Sequence, residues 1–307
     1  MLSVAWRIAL VGLLVPPPAA IGQNEQAEPV PRLPWDAPDL QGIWLRQSST
    51  PLEREATVAD KAVLTAAEAA AYLTQRHAAI NRYLELDLNA DWPSLGGLTD
   101  RRTSLIVNPP NGRLPARTPA GRRRAETLGR GLRARGADGP EDREYFERCV
   151  MGRSVPFVAP SWDERLQIFQ TPDHVGLHDE TGELRLVPVT DRAPVPRSIR
   201  QWTGHSRGRW EGDTLVIETS RFNGKWTFHG AGPNMRLVER FTRVSANRLE
   251  YEFIVHDAES FAGPWTAAFP FILDPGPLYE AACHEGNYSM SLMLGVARAR
   301  EQGGPDR

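Results

Sequence analysis

A two-residue hydrophobic period in the second half of the chain limits what the protein can fold into more than any other feature. In RLEYEFIVH the apolar residues Leu249, Tyr251, Phe253 and Val255 alternate with mostly polar ones, as in a β-strand with one face in a core. No helical pattern long enough for a parallel crossover separates the strand-like segments, so we predict an antiparallel meander. The other segments are LQIFQ, HVGLH, ELRLVPV, TLVIETSRF, MRLVERFTRV, PWTAAFPFI and LYEAACHE.

The number of predicted strands favours a closed sheet. Seven or eight consecutive strands leave two exposed edges, and closure into a barrel removes both. Helices flank the strands: a capping box of Thr65 and Glu68 predicts one helix, Pro119 begins a second, and the apolar residues Leu292 and Val296 of a last helix can lie against the sheet. We therefore predict an α+β fold, an antiparallel meander closing into a β-barrel, with N-terminal helices and a C-terminal helix packed on it.

The N-terminus has the pattern of a secretory signal peptide. Arg7 precedes a short apolar run, 8–15, and small residues at and before Gly22 suit cleavage there. The apolar run is too short to cross a bilayer, so we expect a periplasmic or secreted protein. We divide the chain into a signal peptide (1–22), an extended leader (23–38), a region rich in helix and loop (39–154) and the barrel-like region with its C-terminal helix (155–301).

Charge and cysteine content narrow the partners and the compartment. A formal net charge of −2 gives no reason to expect nucleic acid, and we expect no membrane span in the mature chain. Only two cysteines are present, Cys149 and Cys283. Because exported chains meet an oxidising compartment, we predict a disulfide between them, with two buried free thiols as the alternative.

The run from Gly204 to Gly208, GHSRG, fits the G-x-S-x-G pattern of serine hydrolases. That motif needs a strand before the serine and a helix after it, whereas RWEGDTLVIET predicts a turn and then a strand. We therefore predict a β-hairpin. The alternative is that Ser206 is a nucleophile on some other scaffold, with His205 or another histidine as its base.

The run from Tyr279 to Tyr288, YEAACHEGNY, has the densest group of acid-base residues. In one interpretation it is structural, with Cys283 in a disulfide, Asn287 capping the last helix and Glu285 favoured near the helix N-terminus. In the other, His284 and Glu285 form a proton-transfer pair at the mouth of a pocket. Both interpretations stay open on the sequence.

Aromatic residues indicate the kind of ligand rather than the chemistry. Most of the large aromatic side chains in the β-rich half are expected in the core. If the sheet encloses a cavity, some of them line a pocket for a flat apolar molecule. The candidate ligand-binding residues are Trp202, Trp210, Trp226, Trp265 and Tyr288.

No metal site is predicted. His174 and His178 stand four residues apart, a spacing that would direct both rings to one metal on a helix. On a strand the same spacing separates them by about 13 Å, too far for one zinc ion.

Eight longer segments of the sequence together resemble a group of exported bacterial proteins of unassigned function. These segments are PDLQGIW, TPLERE, RTSLIVNPPNGRLP, GPEDREYFERC, QTPDHV, SIRQWTGHSRGRWEGDTLVIET, RVSANRLEYEFIVHD and YEAACHEGNY. That resemblance implies no activity and no catalytic residue. The triplet Gly42-Ile43-Trp44 is similar to the G-x-W that opens the first strand of lipocalin-like, or calycin, barrels. This second resemblance implies a lipocalin-like barrel, with the segment after Trp44 packed outside it or over its mouth.

Three functional hypotheses follow. The leading one is a protein that binds a hydrophobic or aromatic small molecule inside the barrel, without a cofactor, since no phosphate-binding glycine motif is present. The alternative is a cofactor-independent hydrolase, lyase or isomerase using the His and Glu residues named above. A structural role in the cell envelope is favoured if side chains fill the barrel.

Overall fold

The fold is described from a computed structural model. The signal peptide, residues 23–29 of the leader and Trp226 lie outside the described residues. These are 30–84, 95–134, 137–143, 147–150, 155–160, 163–191, 193–225 and 228–303.

Within the described residues, ten strands form one sheet and three α-helices accompany it. The strands are β1 Gly42–Arg46, β2 Ile106–Asn108, β3 Glu164–Gln170, β4 His174–Asp179, β5 Leu184–Pro188, β6 His205–Glu211, β7 Thr214–Ser220, β8 Arg236–Ser245, β9 Arg248–His256 and β10 Trp265–Leu273. The helices are α1 Ala66–Leu84, α2 Pro119–Ala134 and α3 Tyr288–Glu301.

Nine of the strands curl into a nearly closed barrel. Their order is β5-β4-β3-β1-β10-β9-β8-β7-β6, every neighbouring pair is antiparallel, and β2 pairs with β10 off this path. Because an odd number of strands alternates in direction, the two end strands, β5 and β6, run parallel and cannot extend the antiparallel ladder. They meet at a seam, where a Cβ on Gly208 would lie 2.7 Å from Val189 Cγ1 and 3.2 Å from Val187 Cγ1. The predicted α+β barrel is confirmed.

Alternation along the strands builds the interior, as the sequence predicts. In β9 the four apolar residues of RLEYEFIVH are buried and the residues between them are partly exposed. The same alternation in β8 turns Leu237, Glu239 and Phe241 inward. Aromatic side chains supply much of the interior volume, and the buried ones on barrel strands are Trp44, Phe241, Tyr251, Phe253, Trp265, Phe269 and Phe271.

The predicted helix starts are present. The Glu68 carboxylate accepts from the Thr65 backbone N–H at 3.0 Å, and Thr65 Oγ1 accepts from the Glu68 N–H at 3.3 Å, which completes the capping box. Helix α2 begins at Pro119 and closely approaches the backbone of the segment between β9 and β10. A Cβ on Gly121 would lie 2.2 Å from the Ser260 carbonyl oxygen.

The predicted disulfide between Cys149 and Cys283 is formed, with an S–S distance of 2.04 Å. The predicted packing of the last helix on the sheet is wrong in detail. No residue of α3 is buried, and Leu292 and Val296 remain 66% and 50% exposed. Helix α3 is attached to other segments by a covalent bond and hydrogen bonds instead. The disulfide holds the segment before α3, and Arg298 donates hydrogen bonds to the backbone carbonyls of residues 137 and 138.

The sheet differs from a sequential meander in two details. Strand β1 lies between β3 and β10, which are far apart in the sequence. The last predicted strand, LYEAACHE, lies outside the sheet as irregular chain and turn. A physical reason is that β10 already pairs with β1 and β2 on one side and β9 on the other, so it has no free edge for another strand.

Candidate functional site

The GHSRG run belongs to a β-hairpin, as predicted. Strands β6 and β7 pair along their length around a turn at Gly212 and Asp213. Ser206 faces the barrel interior, where its Oγ lies 2.8 Å from the Thr219 Oγ1, and it is buried. As the adjacent residue on the strand, His205 faces the outside. The two side chains therefore do not meet, and a catalytic role for either stays a prediction.

The second acid-base group lies on the surface. His284 and Glu285 are exposed in the turn before α3, and Tyr288 is 73% exposed. Asn287 caps the helix, accepting from the Met290 N–H at 3.3 Å, as the structural interpretation expects. The catalytic role of the His284–Glu285 pair likewise stays a prediction.

The candidate tryptophans occupy separate places. Trp265 is fully buried among aromatic rings. Trp210 is half-buried against the core on β6. Trp202 is 39% exposed, with Lys225 Nζ 5.3 Å from its ring centroid. These three side chains do not converge on one pocket, so the ligand-binding assignments remain predictions.

His174 and His178 both lie on strand β4, half-buried on its outer face. Within the described part of the chain, no group of three or more His, Cys, Asp and Glu residues is arranged to hold a metal ion. None of the described helices has an apolar stretch suited to crossing a bilayer.

The centre of the barrel contains a side chain that no strand supplies. Residues 155–160, which we call the strap, run into the barrel and bury Phe157 completely. Its ring centroid lies 6.0 Å from that of Tyr251, 6.3 Å from Phe271 and 6.5 Å from Phe241, all with edge-to-face geometry. An aromatic ring from outside the sheet thus completes the aromatic interior.

Among the described residues, three hydrogen bonds join the strap to the barrel and its flanking loop. The Phe157 N–H donates to the Tyr251 hydroxyl at 3.2 Å. Arg46 Nη1 donates to the Val158 carbonyl at 3.0 Å, and the Ser48 N–H donates to the Pro160 carbonyl at 2.8 Å. The strap is therefore held by individual hydrogen bonds and by burial of Val155, Pro156 and Phe157, and not by a strand ladder.

A buried ion pair lies beside the Phe157 ring. Arg185 donates to both carboxylate oxygens of Glu239, at 2.8 and 3.0 Å, and both side chains are buried. The Tyr251 hydroxyl donates to the same carboxylate at 2.8 Å. Burial and the Glu239 charge raise the pKa of Tyr251 well above its ordinary value, so this phenol stays protonated.

A second buried cation completes the group. Arg46 Nη2 lies 2.7 Å from Glu164 Oε2 and 3.7 Å from Asp179 Oδ2. The guanidinium carbons of Arg46 and Arg185 lie over the Phe157 ring, 5.2 and 5.0 Å from its centroid. Among the described residues, Nε of both arginines is buried without a hydrogen-bond partner. We call Phe157, the two arginines, Tyr251 and the three carboxylates the central cluster.

The central cluster was not among the residues predicted from the sequence, which were mainly histidines and tryptophans. Inward-facing charges were nevertheless visible in the alternation: Glu239 lies between Leu237 and Phe241, two apolar residues of one strand face. Arg46 similarly follows Trp44 on the inner face of β1. A charged residue at an inward position of an apolar strand face is the signal that could have identified it.

The chain matches no protein-family model, curated protein or solved structure. The barrel agrees with the coarse part of the lipocalin-like resemblance, while the resemblance to the group of exported proteins stays a prediction.

Proposed function

We propose that the protein binds a planar aromatic small molecule inside its barrel, with the ligand ring in the place of the Phe157 ring. The observation that carries the proposal is the origin of this side chain: it comes from the strap and not from the sheet. A ring held by a strap can leave without breaking the strand pairing. The space it leaves is lined by aromatic edges and two guanidinium groups, which favour a flat, electron-rich ring.

The buried charges support a binding role over a purely structural one. Burying an ion pair gives little net stability, and apolar residues of similar volume often serve as well or better. Ionisable groups buried in strongly perturbing surroundings are frequent at functional sites. The central cluster buries two arginines with the carboxylates of Glu239 and Asp179 and partly buries that of Glu164, in a barrel whose other inward residues are mostly apolar.

The hydrogen bonds of Tyr251 narrow the ligand class. Its hydroxyl donates to Glu239 and accepts from the Phe157 N–H. When the strap leaves, the hydroxyl oxygen loses that donor. A ligand with an N–H or O–H group beside its ring replaces it, whereas a plain hydrocarbon leaves the oxygen without a donor. We therefore propose phenols, anilines and indoles as the class, ahead of unsubstituted aromatic hydrocarbons.

The test compares Phe157→Ala with Phe269→Ala, in which an aromatic side chain of β10 is removed instead. Indole, phenol and benzene are titrated against each variant and the wild type, by tryptophan fluorescence and thermal shift. We expect Phe157→Ala to bind indole and phenol more tightly than benzene, and Phe269→Ala to bind none of them comparably.

The outcomes separate the hypotheses. Because removing a buried Phe costs about 3–5 kcal/mol of stability, Phe157→Leu provides a milder variant whose affinity should lie between those of the wild type and Phe157→Ala. Equal binding by the two alanine variants would point to a generic cavity and contradict the proposal. Absence of binding by Phe157→Ala and Phe157→Leu would also contradict it and would favour a structural barrel.

A further inference from the structure

A second candidate site lies on the outside of the barrel, at the seam between β5 and β6. A groove of about 420 Å³ is lined there by His174, Pro188, Ala193, His205 and Arg207, and we call it the seam groove. It does not share these residues with the central cluster, so it stands apart from the proposed function.

Strand geometry brings these residues to one face. His174 and Pro188 are directly opposite each other in the β4–β5 pair. On β6, His205 and Arg207 alternate with the inward-facing Ser206 and therefore share the outer face. The parallel seam leaves β5 and β6 without a common ladder, and the groove forms where that ladder is missing.

Arg207 has most of its hydrogen-bonding capacity available. Its Nη2 donates to the Thr190 carbonyl at 3.1 Å, and no other hydrogen bond or ion pair of Arg207 is formed within the described part of the chain. The carbonyl fixes one branch of the guanidinium and leaves N–H groups for a bidentate partner. A backbone carbonyl also leaves the positive charge unneutralised.

The surroundings of the groove are positively charged overall. His205 lies within the field of Arg207 and Arg221, and burial together with these two charges lowers its pKa. Glu218 faces Arg207 across β6 and β7, but its carboxylate is paired with Arg236 at 3.0 Å.

Asp173 is the acid next to the other imidazole of the groove, with its Oδ1 3.2 Å from His174 Nδ1. Asp173 lies on the surface and pairs with His174, so it does not neutralise Arg207 and Arg221. The groove therefore presents a charge that an anion complements.

We propose that the seam groove binds a small oxyanion, a carboxylate or a phosphate group, held by the free N–H groups of Arg207 and by the imidazole of His205. Guanidinium groups bind both chemistries in the same two-pronged geometry.

The experiment titrates the full chain with inorganic phosphate and, separately, with acetate at constant ionic strength, following amide and imidazole NMR signals. Arg207→Gln is the test variant. Arg209→Gln is the matched control, because Arg209 is the next outward arginine on β6, is more exposed and is already paired with Glu211. His205→Gln is a second test variant with a different side chain.

We expect saturable shifts at residues of the seam groove with at least one of the two anions, which also identifies the preferred chemistry. Loss of a charge-assisted hydrogen bond should weaken binding about tenfold or more in Arg207→Gln. Binding should be weakened in His205→Gln and unchanged in Arg209→Gln. Non-saturating shifts with both anions, or equal affinity in the three variants and the wild type, would overturn the proposal.

Discussion

The buried pair of Arg185 and Glu239 gives the sharpest quantitative prediction. In Arg185→Met the Glu239 carboxylate loses two hydrogen bonds of 2.8 and 3.0 Å in a place without solvent access. Removing one partner of such a pair costs about 3–5 kcal/mol of unfolding free energy. An exposed pair provides the control, since Arg209→Met breaks the contact with Glu211 and should cost about 0–1 kcal/mol.

The double variant Arg185→Met/Glu239→Leu should recover most of the loss, because no unpaired charge remains. It leaves the Tyr251 hydroxyl without its acceptor, which costs about 1–3 kcal/mol. The double variant should therefore be more stable than either single one. Urea unfolding followed by tryptophan fluorescence measures the unfolding free energies of the wild type, Arg185→Met, Glu239→Leu and the double variant. Additive losses in the double variant, or a loss below about 1 kcal/mol in Arg185→Met, would refute burial of the pair.

Two further predictions concern the seam and the buried phenols. Gly208→Ala places a methyl group 2.7 Å from Val189 Cγ1 and should lower the free energy of unfolding in urea by about 1–3 kcal/mol. The control is Gly263→Ala, which has open space around it and should change stability by less than about 0.5 kcal/mol. Equal effects of the two substitutions would contradict the close approach at the seam. Burial raises the pKa of Tyr72 to about 12 from 10.0, so the stability from this phenol is complete below pH 10 and is lost as pH rises through about 12. Burial also raises the pKa of Tyr251. Tyrosinate absorbance should therefore appear at higher pH in the native protein than in the urea-unfolded chain, and superimposable titrations would disprove it.

The sequence predicted the local parts of the fold because they depend on neighbouring residues. Alternation in RLEYEFIVH placed Tyr251 and Phe253 inside, and the Thr65–Glu68 spacing placed a helix start. The disulfide followed from having only two cysteines in a chain expected to be exported. Each of these inferences needs only a short segment or a residue count.

Long-range arrangement could not be read in the same way. The position of β1 between β3 and β10 depends on pairing across more than half of the chain, which no local period specifies. The apolar residues of the last helix suggested packing on the sheet, yet Leu292 is 66% exposed and no residue of α3 is buried.

The central cluster could not be predicted from the sequence because it also depends on long-range arrangement. Phe157 lies in VPFVAP, a short segment with two prolines and no clear period, and only the closed barrel shows that its ring meets Arg46 and Arg185. His205 was a catalytic candidate because Ser206 is its neighbour in the sequence. On strand β6 the two side chains point to opposite faces, and His205 lines the seam groove with His174.

Binding of a ligand in the place of the Phe157 ring requires the strap to open while the barrel stays folded, and amide hydrogen exchange measures this opening directly. The Phe157 N–H is protected by its bond to the Tyr251 hydroxyl, so its exchange reports departure of the strap. We predict that this amide exchanges through a local opening at least about 2 kcal/mol below the slowest amides of β8 and β9. If the Phe157 amide exchanges only with global unfolding, at the same free energy as those strands, the strap is a fixed part of the core and the proposed binding mode is wrong.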